Sequence, residues 1–199
     1  MRTFALILIV TCLPLIAHAM EAPAAQIPLD TSKVLRGHFT EEHQINGTPV
    51  QSSGHFTVTP GRGLIWGIEK PFPTSTIITP SSAAQDLGGL ALKLPAKNLR
   101  HLYDVIGGAL QGDWSGLETD FIITSSTKGK NWQMILTPRN TDKPKLSYTT
   151  ITINGSRFVE TIVMTRADGA TDALSFTNTV LSSSRLSSQE TALFNEVGQ

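Results

Sequence analysis

Cysteine is almost absent from this chain of 199 residues. The single cysteine, Cys12, lies in an N-terminal segment that has the features of a cleaved signal peptide. A mature chain without a thiol has no disulfide framework, no cysteine nucleophile and no thiolate metal site. Its stability must therefore come from a hydrophobic core, and roughly 180 residues are enough to form one.

Neither sign of charge predominates. The sequence has 16 basic and 16 acidic residues, and loss of Arg2 with the signal peptide changes this balance by a single charge. No basic stripe favours nucleic acid or an anionic membrane surface. We therefore expect no nucleic-acid partner, and we expect the true partner to be recognised by something other than bulk charge.

Motifs for catalysis and metal binding are also missing. The sequence contains no H-E-x-x-H zinc motif, no carboxylate-rich calcium loop and no G-x-S-x-G nucleophile elbow. His38 and His43 are five residues apart in a predicted strand, so we expect their side chains on opposite faces of the sheet. Asp113, Glu118 and Asp120 form an acidic group that we interpret as solvated. We predict a protein that is not an enzyme and has no catalytic residue, no bound metal and no cofactor.

The first 19 residues have the organisation of a secretory signal peptide. Arg2 gives a positive end, residues 4–16 form an apolar core, and Ala17–Ala19 provides small residues for cleavage. The apolar run is shorter than the roughly 20 residues of a membrane span. We predict a signal peptide over 1–19, export without stable membrane insertion, and a single mature domain over 20–199.

Alternation of apolar and polar residues with a period of two dominates the mature sequence and predicts β-strands. Turn dipeptides such as Asn154-Gly155 and Asp168-Gly169 separate the alternating runs and indicate hairpins. The predicted strands, nine or ten in all, include residues 34–45, 53–59, 62–70, 75–79, 120–125, 131–137, 146–153, 156–165 and 173–181. We therefore expect a mainly β (α+β) fold, with one strongly curved antiparallel sheet covered by a helix or two.

Residues 95–110 depart from this alternation. Apolar residues recur there at spacings of three and four, which predicts an amphipathic helix: Leu99, Leu102, Ile106 and Leu110. Gly107 and Gly108 weaken the C-terminal half of this helix by about 1 kcal/mol each relative to alanine. The helix is therefore either a movable cover or an ordinary packed helix. A second, short helix is predicted near the C-terminus, after a capping box that begins at Ser187.

Large apolar side chains occur on both sides of several predicted strands. In the run at 62–70, Leu64, Trp66 and Ile68 share one face, and Ile65 lies on the other. One interpretation is an ordinary two-layer core with helices on one side. The other is a curved sheet whose concave face lines a pocket for an apolar ligand, beneath the helix at 95–110. The alternation of residues leaves both open.

Residues 52–73 contain three short motifs in a fixed order, S-G-H-F, P-G-R-G-L-I-W and K-P-F-P. The segment Gly37–Glu41 lies upstream of them, and a W-x-x-x-L-x-P pattern follows at 132–138. Together these motifs resemble the outer-membrane lipoprotein carrier (LolA) family of Gram-negative bacteria. The resemblance extends over most of residues 34–180.

The resemblance implies both a fold and an activity. The family's fold is an incomplete antiparallel β-barrel whose mouth is covered by helices, and its members shield lipoprotein acyl chains that cross the periplasm. We therefore expect a monomeric periplasmic carrier of an acylated lipoprotein or lipid, with an inner-membrane donor complex and an outer-membrane receptor as partners. The predicted lipid-binding residues are Phe39, Phe56, Leu64, Trp66, Ile68, Leu102, Ile106, Phe121, Trp132, Met134 and Leu136. The predicted lid and turn residues are Arg62, Gly107 and Gly108.

The sequence departs from the family pattern in three places. Typical members have an arginine just before the turn proline, which is absent from Val58-Thr59-Pro60, and Arg62 is the nearest candidate. The family's D-G-x-x-x-W segment is not recognisable, and the chain ends in a predicted helix rather than a further strand. These departures keep open a carrier of another acylated metabolite or glycolipid. An envelope assembly protein that holds a protein partner in the same cavity is a further alternative, and so is a hydrolase with an unidentified serine.

Overall fold

The computed structural model describes residues 30, 32–45, 47–86, 91–94, 105–139, 148–183 and 185–197. In this part of the chain, helix α1 occupies residues 105–111 and helix α2 occupies Ser188–Val197. Neither of these helices is long and apolar enough to cross a membrane. The strands are β1 (Val34–Ile45), β2 (Thr48–Thr59), β3 (Gly63–Lys70), β4 (Thr74–Ile78), β5 (Ala83–Asp86), β6 (Ala91–Lys93), β7 (Phe121–Lys128), β8 (Asn131–Pro138), β9 (Tyr148–Gly155), β10 (Val159–Arg166) and β11 (Thr171–Ser182).

The expected mainly β fold is confirmed, because these strands form one unclosed, curved antiparallel sheet with helices against it. Every predicted run forms a strand. The prediction missed β5 and β6, since Ala-Ala-Gln-Asp and Ala-Leu-Lys are too short and too weakly apolar to show alternation. Their strand conformation depends on pairing with neighbours, such as Ala84 with Ile77 of β4.

The strand order explains why one connection must cross the sheet. The order is β6-β5-β4-β3-β2-β1-β11-β10-β9-β8-β7, so sequence neighbours pair as hairpins and β11 returns to pair with β1. β6 and β7 are therefore the two edges of the sheet, although they are consecutive in the chain. The segment that joins them carries α1, which places this helix against one face of the sheet. We call this face the inner face and the opposite one the outer face.

Each face of the sheet has its own buried apolar cluster. On β3, Leu64 belongs to the inner cluster and Ile65 to the outer cluster, as the alternation of strand side chains requires. The outer cluster is completed by α2, and its buried members are Ile65, Ile77, Ala84, Phe194 and Val197. The apolar residues on both sides of β3 therefore have separate structural partners. The inner cluster alone is covered by α1.

Polar contacts also hold α2 on the outer face. The Glu190 N–H donates to Ser187 Oγ at 3.1 Å and the Ser187 N–H donates to Glu190 Oε2 at 2.7 Å, which confirms the predicted capping box. Arg36 donates to both carboxylate oxygens of Glu190, at 2.9 and 2.8 Å, and Thr57 Oγ1 donates to Oε1 at 2.9 Å. The Arg36 hydrogen bonds are the main reason that the pKa of Glu190 falls from its ordinary 4.5 to about 2.

We expect Glu190→Gln to lower the free energy of unfolding at pH 7 by about 1–2 kcal/mol, because it breaks the charge-assisted hydrogen bonds with Arg36. A carboxylate with a depressed pKa stabilises the folded state above its unfolded-state pKa and loses this contribution as the pH falls through the folded-state value. The difference between the two proteins should therefore shrink between about pH 5 and pH 2, which urea unfolding at several pH values can measure.

The matched control for this change is Glu196→Gln, since Glu196 is an exposed residue of the same helix. The control should change the free energy of unfolding by less than about 0.5 kcal/mol at any pH. Equal effects of the two substitutions would show that the Glu190 contacts do not hold α2.

Candidate functional site

The predicted lipid-binding residues meet on the inner face. Ten of the eleven lie within the described residues, and all ten belong to the inner apolar cluster or pack directly against it. Leu102 lies outside the described residues. Eight are buried, whereas Trp66 and Ile68 of β3 are only half-buried. The structure thus brings the predicted residues together, and their contact with lipid remains a prediction.

An aromatic group lies at the centre of the sheet, where β3, β2, β1 and β11 are adjacent. The Trp66 ring stacks on Phe39 with their centroids 3.7 Å apart, and it meets the edge of Phe176 at 6.2 Å. Phe56 also contacts Phe176, in an edge-to-face arrangement at 5.6 Å. Sequence reasoning missed Phe176 as a site residue, although it alternates with Leu174 in a predicted strand. We call Phe39, Phe56, Trp66 and Phe176 the aromatic wall.

Helix α1 and the turn after it fill the inner face with their own apolar side chains. The buried residues of this segment are Val105, Ile106, Ala109, Leu110, Trp114 and Leu117. Trp114 packs edge-on against Trp132 of β8, with centroids 6.2 Å apart and planes at 77°. Trp132 is fixed in turn, since its Nε1–H donates to the carbonyl of Ser156 at 2.6 Å. The segment therefore occupies the position that an apolar ligand on this face would take.

Helix α1 ends at a Schellman motif. Gly112 adopts a left-handed conformation with φ of 70°, the Gly112 N–H donates to the Ala109 carbonyl, and the Asp113 N–H donates to the Gly108 carbonyl. A Cβ on Gly108 would lie 2.7 Å from the Asp113 carbonyl oxygen. Gly108 is thus required for the close approach of the helix end to the following turn. This packing role accompanies the weakening of the helix that the sequence predicted for the glycine pair.

We expect Gly108→Ala to destabilise the protein by about 1–2 kcal/mol, although alanine is the better helix former by about 1 kcal/mol. The added methyl group meets backbone, so the Schellman turn must open to accept it. Hydrogen exchange of the amides of residues 109–113 should become faster. Gly116→Ala is the control, because a Cβ there meets nothing within 4 Å. A stabilised Gly108→Ala protein would show that helix propensity outweighs this contact.

Arg62 contacts α2 on the outer side of the molecule. Its Nη2 donates to Asn195 Oδ1 at 2.8 Å, and its guanidinium carbon lies 5.1 Å from the centroid of the Phe194 ring. The predicted role of Arg62 in closing a lid therefore has no counterpart at α1 among the described residues. Arg62 instead helps to fix the C-terminal helix.

A polar cluster lies on the inner face, at one end of the apolar cluster. Asp172 of β11 is its centre: Tyr148 Oη and Arg166 Nη1 both donate to Asp172 Oδ2, at 2.9 and 2.8 Å. His43 Nδ1 lies 3.1 Å from Asp172 Oδ1, and His43 Nε2 lies 2.7 Å from Glu41 Oε1. Burial and the Asp172 contact raise the pKa of Tyr148 to about 12, so its hydroxyl remains a donor at neutral pH. Sequence reasoning missed this group, whose members come from four strands.

The polar cluster does not assemble a nucleophile for hydrolysis. In a serine triad the hydroxyl must contact the imidazole, whereas the Ser52 hydroxyl donates to Glu41 Oε2 at 3.0 Å. The Nε2 atom of His43 already faces the same carboxylate. Among the described residues, no group of three or more His, Cys, Asp or Glu could hold a metal ion. The arrangement is better suited to hydrogen bonding with a ligand.

No family model and no curated protein matches the chain. Solved structures do show similarity, including a LolA superfamily protein from Nitrosomonas europaea with 10% identity and a TM-score of 0.46, over 84% of this chain and 92% of that one. An outer membrane lipoprotein-sorting protein domain from Vibrio parahaemolyticus gives 10% identity and a TM-score of 0.44, over 83% and 90% of the two chains.

The Pseudomonas aeruginosa MucA/MucB complex gives 15% identity and a TM-score of 0.48. The similarity covers 80% of this chain and 56% of the other, so this chain spans little more than half the length of that protein. The LolA family, which the sequence motifs resemble, is thus represented among the structures similar to this chain.

Proposed function

We propose that the protein is a periplasmic carrier that holds the acyl chains of a lipoprotein, or of a related lipid, against the inner face of its sheet. The observation that supports this proposal is the composition of that face. Eight strands contribute buried apolar residues to it, and α1 with its following turn covers it within the described part of the chain. A two-layer core needs a fixed cover, whereas a carrier needs one that can move away.

The physical requirement for such a carrier is apolar area, without a catalytic group. Removing one CH₂ group from water contributes about 0.8 kcal/mol, so a chain of about sixteen carbons contributes on the order of 12 kcal/mol gross. A site that bound this strongly would release its cargo too slowly to deliver it. The cover must therefore compete with the cargo for the same surface.

Helix α1 is suited to this competition because its own side chains fill the inner face when no cargo is present. Ile106 and Leu110 are each 4% exposed, so a bound acyl chain has to displace them. Their displacement offsets part of the gain from burying the acyl chain, which reduces the net affinity. We propose that this exchange makes hand-over from an inner-membrane donor to an outer-membrane receptor possible.

Native mass spectrometry of the exported protein, purified without detergent, tests this function. We expect a population carrying the mass of an acylated lipid or lipopeptide, and we expect delipidation to restore the bare chain. Co-purification of a protein at fixed stoichiometry, with no acyl lipid, would favour a partner-binding function instead. A protein that carries no lipid and takes up none from vesicles of bacterial phospholipid would overturn the proposal.

A further inference from the structure

We propose that the polar cluster binds the head of the carried amphiphile, and that it selects a positively charged head with N–H donors over an anionic head. This inference rests on the proposed carrier function and concerns the class of its ligand. The cluster consists of Glu41, His43, Tyr148, Arg166 and Asp172.

The polar cluster continues the same face as the aromatic wall. Asp172 lies two residues before Leu174 and four before Phe176 on β11, and Glu41 lies two residues after Phe39 on β1. Because side chains on one face of a strand recur every second residue, these groups share the inner face. Tyr148 confirms the placement, since it packs against the inner apolar cluster and also donates to Asp172. An amphiphile with its tail along the aromatic wall would bring its head to these groups.

The cluster has more acceptors than donors. Asp172 is 1% exposed, and its Oδ1 atom receives no hydrogen bond from the described residues. His43 Nδ1 is 3.1 Å away, but it does not have hydrogen-bond geometry. A neutral imidazole carries only one N–H, so His43 can serve Glu41 or Asp172 and not both. A buried acceptor without a donor costs about 1–3 kcal/mol, and a donor on the ligand would remove that cost.

The charge of the cluster also disfavours an anion. Two carboxylates, Glu41 and Asp172, face one guanidinium, so the cluster carries one negative charge when His43 is neutral. The guanidinium of Arg166 is already engaged, since Nη1 donates to Asp172 and Nη2 donates to the carbonyl of Gln44 at 2.9 Å. A carboxylate or phosphate head would meet like charge and no free donor, whereas an ammonium head would meet acceptors.

Three amphiphiles with the same chain length test this selectivity with the delipidated full-length mature protein. Hexadecylamine offers a positive head with N–H donors, hexadecyltrimethylammonium has the charge without donors, and palmitate is an anion. By calorimetry below the micellar range, we expect hexadecylamine to bind about tenfold tighter than hexadecyltrimethylammonium and about a hundredfold tighter than palmitate, the differences of one and two strong polar contacts.

Substitutions then test whether the cluster is responsible. Asp172→Asn should reduce the preference for hexadecylamine over palmitate by at least tenfold, and Glu41→Gln provides the same test at a residue whose side chain is 17% exposed and better able to accept the change. Glu42→Gln is the matched control, because Glu42 is the exposed neighbour on the outer face, and it should leave the preference unchanged.

The outcomes separate this inference from the carrier function. If all three amphiphiles bind with equal affinity, or if both cluster variants keep the full preference, the head-binding inference is wrong and the carrier function stands. If none of the amphiphiles binds to the wild-type protein, both the inference and the carrier function are wrong.

Discussion

Replacing Trp66 by glutamate is expected to abolish acyl-chain pickup in a folded protein, whereas replacing Leu64 by glutamate is expected to unfold it. Both residues lie on the inner face of β3, two positions apart. Leu64 is 2% exposed, so a carboxylate there is buried without a partner. The expected loss is more than about 4 kcal/mol, most of the stability of a typical domain.

Trp66 differs because its side chain is half-buried and reaches the edge of the apolar cluster. A glutamate at this position can remain hydrated when the site is empty, and it becomes a buried charge only when an acyl chain lies against it. We therefore expect affinity for the acyl chain to fall at least about a hundredfold, equivalent to roughly 3 kcal/mol.

Near-UV circular dichroism, urea unfolding and lipid occupancy by native mass spectrometry measure these outcomes. Ile122→Glu is the control, since Ile122 is 49% exposed on β7 and the substitution should change neither fold nor occupancy. A folded Trp66→Glu protein with full lipid occupancy would remove Trp66 from the site. A folded, loaded Leu64→Glu protein would show that the inner face does not need its apolar packing at all.

Ile106→Ala is expected to weaken the empty protein and to strengthen its binding of acyl chains. Ile106 of α1 is 4% exposed in the inner cluster, and truncating it leaves a cavity that costs about 2–5 kcal/mol. The closed state of the cover bears this cost, and an open state with α1 displaced does not. The equilibrium therefore shifts towards the open state, and apparent affinity for an acyl chain rises, by about tenfold if the open state was a minor one.

Ile77→Ala gives the matched comparison on the outer face. Ile77 is 2% exposed and packs beneath α2, so the same truncation should give a similar loss of stability with no gain in affinity. Urea unfolding and titration with a fluorescent fatty-acid analogue measure the two quantities for both variants. If the two variants change binding equally, α1 does not compete with cargo for the inner face and acts as a fixed part of the core.

Local pattern was sufficient where a residue's environment depends on its sequence neighbours. The strands β1, β3 and β8 follow from alternation, and the capping box at Ser187 correctly predicted the start of α2. Alternation also sorted Leu64 from Ile65, because strand geometry puts adjacent side chains on opposite faces whatever surrounds them. It could not say what covers each face, since that depends on which distant segment returns to it.

The sequence by itself determined a mainly β chain with a helix after its sixth strand, large apolar side chains on both faces of β3 and no catalytic motif. Tertiary structure alone decided that the crossing connection covers the inner face, that Arg62 contacts α2, and that Gly108 allows close backbone packing. It also decided the polar cluster, because Glu41 and Asp172 are more than a hundred positions apart and meet only where β11 pairs with β1. Periodicity reports the face on which a side chain lies, and only strand pairing reports which distant side chains share that face.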